Sequence, residues 1–293
     1  MRSDIKLIEP LGFCYGVRRA VNLAEQAIKD KANTRIYSLG GIIHNRDAVN
    51  KLSQKGLKVK DNLNGVKEGN AVIISSHGTE PSVLEEAKKR GIRIIDATCP
   101  NVITSQRLCE RLKSEGYFIV IIGEKEHREV KALRGFAGEK NIVIKDAVEA
   151  RHAKLDSKKI GVVAQTTQSK DNLTKIIKEL LNKDYIELRI FNTICNDTAR
   201  RQKAALDLTK KVDMMFVIGG KHSANTRRLF ELCRKSGRKC LHIENDAELK
   251  REAIKNARVI GVISGASTPD WVIDNVLKRI KSFKKIYKKG VAN

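Results

Sequence analysis

Aromatic residues supply only 4% of the 293 positions, proline occurs 4 times, and no stretch approaches the ~18 consecutive apolar residues that would span a bilayer. The chain is therefore expected to be soluble. Its N-terminal MRSDIKLIEPLGF lacks a basic start leading into a long apolar core, and so reads as unexported and cytoplasmic. With 41% hydrophobic and 31% charged residues and no biased or repetitive tract, it falls among ordinary globular proteins. Six cysteines without a secretion signal are too sparse for a disulfide framework, so reduced thiols are expected, with metal ligation open to some of them. Also missing are G-x-G-x-x-G after the first strand, G-x-x-x-x-G-K-[ST] and G-x-S-x-G. Neither a dinucleotide, a nucleoside triphosphate nor a nucleophile-elbow serine is indicated.

What the chain has in excess is positive charge: Lys and Arg number 58 against 34 Asp and Glu, a formal net charge of +24 with His neutral. Such a surplus attracts nucleic acid, anionic metabolites or an acidic protein partner. The lysines are spread through every helical stretch, including the C-terminal KRIKSFKKIYKKG, and no aromatic-interleaved basic motif appears. A solvated lysine-rich surface is the plainer reading, with a functional field as its rival. At roughly 150 residues per domain, the length suggests two or three compact units.

Short β-branched apolar runs alternate with helical periodicity throughout, the pattern of an α/β protein with parallel sheets. The strand candidates are IKLIE, RIYSL, LKVK, AVIIS, IRIID, YFIVIIG, NIVIK, IGVVA, YIELRIF, MMFVIGG, CLHIE and VIGVIS, too many for one sheet. Three share a sequel. IKLIE runs into Cys14, IRIID into Cys99 and YIELRIF into Cys195, and a helix follows each cysteine, its apolar stripe marked by Val17, Val21, Ala24 and Ile28, by Val102, Leu108 and Leu112, or by Ala199, Leu206 and Leu208. The steps from Cys14 to Cys99 and from Cys99 to Cys195 are 85 and 96 residues. That is an internal repeat. The first two segments hold four strands each and the third only three, so IKLIE should complete the third. The expected architecture is three similar units, 14–98, 99–194 and 195–293 with 1–13, in a pseudo-threefold ring around a central cluster.

A cysteine at a helix start has a lowered pKa, because free N–H groups and the helix dipole favour the thiolate, which is the form that binds metal. Beyond the carboxyl ends of strands is also where open α/β sheets place their functional groups. A zinc site usually draws on local C-x-x-C pairs, absent here, so three widely spaced thiolates suit an iron-sulfur cluster better. Three ligands to a [4Fe-4S] cluster would leave one iron open to substrate. The competing reading is three small buried hydrophobes. Cys109, Cys233 and Cys240 lack the strand-cysteine-helix setting and are expected to be structural.

The remaining strand ends are polar: GGIIHN with His44, SSHGT with His77, GEKEHRE with His127 and Glu129, AQTTQS with Thr166 and Thr167, GGKHSANT with Ser223 and Asn225, and SGAST with Ser267. Loops of small residues present N–H and hydroxyl donors to phosphate oxygens, and a protonated His adds charge. A diphosphate suits that lining.

GFCYGVRRA, IIHNR, SSHGT, DATCP, HREV, QTT, Cys195 with NDTARRQ, HSANTRRL and SGASTPD, in this order from residue 12 to about 271, resemble the signature of the 4-hydroxy-3-methylbut-2-enyl diphosphate reductase (LytB) family. The resemblance implies a three-unit α/β ring and a [4Fe-4S] cluster held by Cys14, Cys99 and Cys195. It further implies a substrate pocket of His44, His77, His127, Thr166, Thr198, Ser223, Asn225 and Ser267, with Glu129 delivering protons. The implied reaction is a two-electron reductive dehydration giving isopentenyl and dimethylallyl diphosphate, fed by an external donor such as ferredoxin or flavodoxin, in a monomer that binds neither nucleic acid nor membrane. The chain departs from the family where G-H-x-x-H-P-E becomes Gly123 to Glu129 without the first His or the Pro, which makes Glu126 a weaker rival for the acid. It departs again where Ala224 replaces a Ser. Two other functions compete: a three-cysteine dehydratase resembling quinolinate synthase, whose carboxylate substrate would want Arg forks, and a basic nucleic-acid-binding protein with incidental cysteines.

Overall fold

The computed structural model describes residues 4–30 and 34–289, with side chains to 284. Residues 1–3 and 290–293 of the expected third unit, including the last residue of KRIKSFKKIYKKG, lie outside the described residues. The described chain is α/β, with three separate four-stranded sheets in which every pairing is parallel. All twelve sequence-predicted strands form. Central strands are buried end to end and are accordingly unbroken apolar runs, such as MMFVI in Met214–Ile218, whereas an edge strand such as Lys58–Lys60 is short and carries lysines.

By internal contacts the chain divides into two compact units. One comprises Gly16–Ile43 and Val49–Cys195 and holds two sheets. The first is β2 (Ile36–Leu39), β3 (Lys58–Lys60), β4 (Ala71–Ile74) and β5 (Arg93–Asp96), in the order β3-β2-β4-β5. The second is β6 (Phe118–Ile122), β7 (Asn141–Ile144), β8 (Lys159–Ala164) and β9 (Glu187–Ile190), in the order β7-β6-β8-β9. Both use the same winding, with the last strand at one edge leading to a cysteine. Helix α4 (Pro100–Ser114), which follows Cys99, crosses β8 so closely that a Cβ on Gly161 would stand 2.6 Å from Leu112.

The other unit comprises Met1–Tyr15, His44–Ala48 and Asn196–Asn293. Its sheet is β1 (Asp4–Leu7), β12 (Val259–Ser264), β10 (Met214–Ile218) and β11 (Lys239–Ile243), in that spatial order. Read from β11, this is the winding of the other two sheets, with β1 in the place of the missing fourth strand and Asp4 to Leu7 registered against Val259 to Val262. The N-terminal strand thus pairs where the strand count predicts. Helix α8 (Asn196–Thr209) repeats the close crossing, its Leu208 3.0 Å from a Cβ on Gly261 of β12. Its stripe differs from the expected one. Ala199 and Leu206 are exposed, and the buried face is Thr198, Arg201, Gln202, Ala205, Leu208 and Thr209. Period-counting of apolar residues fails here because four of these six buried residues are polar.

Candidate active site

Cys99 caps the N-terminus of α4, with Pro100 supplying the pre-set φ of the first helical position. Its own N–H donates to Ser76 O at 3.0 Å, and Arg19 donates to the carbonyls of Asp96 and Thr98, pinning the strand-to-helix turn. Gly16 packs so near that a Cβ there would lie 2.5 Å from Cys99 Sγ. Burial holds the Cys99 thiol above its ordinary value, outweighing the downward pull of the Asn101 and Val102 N–H groups, and the nearby Cys195 and Glu129 add to the rise, so the helix start does not by itself lower this thiol as the sequence suggests. Cys195 stands immediately before α8. Its N–H donates to Thr166 O at 2.9 Å, and its Sγ accepts from Asn101 Nδ2 at 3.2 Å. Two of the three predicted thiols are therefore brought together, each at a helix start and each supplied with N–H donors suited to a thiolate.

Glu129 lies not in a loop but in the first turn of α5 (Arg128–Ala137), with His127 as its N-cap. It is 1% exposed, and its carboxylate accepts from Thr166 N at 2.6 Å and from Thr166 Oγ1 at 2.7 Å. Burial pushes its pKa up to about 7, outweighing the opposing pull of those two bonds. Thr166 thus holds the carboxyl through its side chain and N–H, and Cys195 through its carbonyl. His127 Nδ1 accepts from Glu129 N at 3.2 Å, which places the proton of the neutral ring on Nε2, and the ring meets His77 edge-on at 5.6 Å between centroids. Glu126, the rival acid, is exposed and paired with Lys131 at 2.7 Å, which holds its carboxyl below the usual range.

In the unit containing β1, Cys14 N donates to Ala266 O at 3.0 Å, and Gly12 N to Ser264 Oγ at 2.9 Å. Ser267 Oγ donates to His44 O at 3.1 Å, and Gly220 approaches the same carbonyl so closely that a Cβ would lie 2.6 Å away. Ser223 caps α9 (Ala224–Lys235). In the first turn of that helix Asn225 is buried, yet neither its Nδ2 nor its Oδ1 has a hydrogen-bond partner. A buried amide left unmatched at a helix N-terminus suits a polar, anionic ligand that supplies the missing partners. Thr198 is buried on α8.

Cys109 and Cys233 are buried in apolar clusters, as expected of structural thiols; Cys240 is half-buried, with its thiol hydrogen-bonded to Cys233. Cys14, Cys99 and Cys195 are half-buried, as Cys240 is, but differ from it in standing just before a helix. Among the described residues, no three His, Cys, Asp or Glu side chains gather tightly enough to hold a single metal ion; a cluster, several atoms across, spaces its thiolates more widely than one ion does. Sequence reasoning missed Asn101, Gly16 and Arg201. Arg201 alone left a signal, since it falls at helical spacing from Ala205 and Leu208 and so on the buried face.

A family model described as LytB protein matches residues 5–281. A relative from Caldanaerobacter subterraneus, named 4-hydroxy-3-methylbut-2-enyl diphosphate reductase, is 41% identical over 283 residues, covering 96% of this chain and 98% of its own. One of the same name from Geobacter sulfurreducens is 43% identical, with coverage of 96% and 98%. The solved E-1-hydroxy-2-methyl-but-2-enyl-4-diphosphate reductase from Plasmodium falciparum superposes with a TM-score of 0.90 at 30% identity, covering 95% of this chain and 88% of that one. A solved (E)-4-hydroxy-3-methyl-but-2-enyl diphosphate reductase, the terminal enzyme of the non-mevalonate pathway, gives 0.70 at 40% identity, with coverage of 96% and 99%. With the matched motifs in order and the fold shared, the chain belongs to the LytB protein family.

Proposed function

We propose that the chain is a 4-hydroxy-3-methylbut-2-enyl diphosphate reductase, converting its substrate to isopentenyl and dimethylallyl diphosphate by two-electron reductive dehydration, the last step of the non-mevalonate route. One observation carries the reading: a buried carboxyl with a pKa near 7 is tied through a single threonine to a cysteine backbone at a helix start. Proton delivery and a thiolate centre are thereby built as one piece.

Cys14, Cys99 and Cys195 hold a [4Fe-4S] cluster in this reading. The fit rests on the half-burial of all three, the paired helix-start N–H donors, the amide of Asn101 on Cys195 Sγ and the gap left by Gly16 beside Cys99. When bound, the cluster supplies electrons one at a time and a Lewis-acid iron for the allylic hydroxyl. The protein's own groups do the rest. Ser223, Asn225, Ser267, His44 and His77 bind the diphosphate and fix its position, and Asn225 gains the partners it otherwise lacks. Thr166 and Thr198 line the wall near the hydroxyl, and His127 orients the substrate. Glu129 holds a proton on its carboxyl below pH about 7 and passes it toward the leaving oxygen by way of Thr166 Oγ1, which donates to the carboxylate in this structure and turns to accept from the protonated acid while donating onward.

The three sheets of one winding support a division into repeats 14–98, 99–194 and 195–293 with 1–13. Electrons come from an external carrier such as ferredoxin or flavodoxin, to which the positive surface is suited, and we read the protein as a cytoplasmic monomer. No helix among the described residues is long and apolar enough to cross a membrane. The test is anaerobic purification, iron and sulfide analysis, and turnover of the allylic diphosphate with a chemical reductant. Brown protein that releases both products is expected. Colourless protein without turnover would overturn the reading.

A further inference from the structure

Arg201, on the buried face of α8, is 1% exposed, an unusual place for a permanent charge. Burying a guanidinium is costly unless its charge is paired and its donors are used. Both conditions hold. Nε donates to Asp197 Oδ2 at 2.7 Å one helical turn earlier, Nη1 to Pro10 O at 2.9 Å and to Ser264 O at 3.1 Å, and Nη2 to Gly12 O at 2.9 Å. Two of those carbonyls belong to the short arm that runs from β1 to Cys14, and the third ends β12. The arm is also held by the packing of Ile8 and Leu11 against apolar clusters of the same unit and by Phe13, whose ring meets Trp271 edge-on at 6.3 Å. The arm is not helix or strand, Gly12 is in the left-handed region at φ +71°, and a Cβ on Gly12 would strike Asp270 at 2.0 Å. On the N–H side of the arm, Leu11 donates to Glu9, Gly12 to Ser264 Oγ and Cys14 to Ala266 O.

We propose that Arg201 is the positioning residue of the Cys14 arm: its planar fork clamps Pro10, Gly12 and the end of β12 to α8, the helix that Cys195 immediately precedes, so that the Cys14 thiol is presented in a fixed place. The inference rests on the reading of Cys14 as a cluster ligand for its purpose, but not for its geometry. Lysine cannot substitute, because three donors on one rotating nitrogen do not match three carbonyls and a carboxylate spread around a plane.

The test follows the thiols themselves. In the full-length chain freed of iron, alkylation of each cysteine is timed by mass spectrometry for wild type, Arg201→Lys and Asp197→Ala, the last leaving the guanidinium without its counter-charge. Arg201→Lys should raise the Cys14 rate roughly tenfold, the scale of losing one charge-assisted tether, with Cys99 and Cys195 unchanged and Asp197→Ala acting in the same direction. In the anaerobic holoprotein, Arg201→Lys should lose iron to a chelator faster than Leu229→Ala, a core variant that weakens the same unit but removes none of the arm's hydrogen bonds. An unchanged Cys14 rate, or equal acceleration of all three thiols, overturns the inference whether or not iron is bound. Selective acceleration at Cys14 in a protein whose iron content ignores Cys14→Ser would uphold the clamp and overturn the cluster reading instead.

Discussion

At the scale of single residues, the proposed reaction turns on Glu129. Its carboxyl ordinarily titrates near 4.5, and burial moves it to about 7, so the acid form is populated at neutral pH. Glu129→Gln keeps shape and the hydrogen bonds of an amide but offers no acid proton; iron content and substrate binding should persist while turnover falls by about 10²-fold or more. Glu126→Gln, at an exposed carboxyl held low by Lys131, should cost little. The wild-type rate should fall as pH rises through about 7, where the acid form is lost, and the residual rate of Glu129→Gln should not follow that curve. Linkage gives the same group a second signature. With the folded pKa raised, its stabilising effect is complete below pH about 4.5 and is lost as pH rises through about 7, a change of roughly 3 kcal/mol that urea melts of Glu129→Gln should lack. The helix starts at Cys99 and Cys195 were legible because each cysteine stands in a local strand-cysteine-helix pattern, whereas Glu129 was singled out only through the family resemblance, its place in the chain alone favouring a solvated loop. Asn101 and Arg201 work through partners 94 and about 190 residues away in sequence, a relation that no local pattern records.

At the level of elements, the twelve strands were readable because strands buried on both faces become continuous β-branched runs bounded by turns. α8 was misread for the complementary reason, as its buried face includes Thr198, Arg201 and Gln202. The placement of β1 came from counting: a winding used twice in full and once short by a strand leaves one edge for the N-terminus, and β12 takes it. That edge strand has a measurable role. Deleting residues 4–7 removes the β12 pairing and the anchor of the Cys14 arm together, so hydrogen exchange should rise along Val259–Ser264 and iron content should drop, while exchange in β6 and β8 stays near wild type. Faster exchange in β4 with β12 unaffected would refute this account of the strand.

Across the whole molecule, a net charge of +24 sets up a field that would draw the acidic electron carrier proposed above and that fades as salt shortens the Debye length to about 10 Å at 0.1 M. Carrier-dependent turnover should fall with added salt while turnover with a small, weakly charged reductant changes little; equal salt responses would remove steering as the cause. The central claim, that Cys14, Cys99 and Cys195 together hold the reactive cluster, is tested most directly by iron and sulfide content after anaerobic purification of single-cysteine variants. Cys14→Ser, Cys99→Ser and Cys195→Ser should each lose stable [4Fe-4S] binding, because a hydroxyl is a poor substitute for a soft thiolate. Cys109→Ala, Cys233→Ala and Cys240→Ala should stay near the wild-type content. A cluster retained in Cys99→Ser and lost in Cys233→Ala would contradict the account.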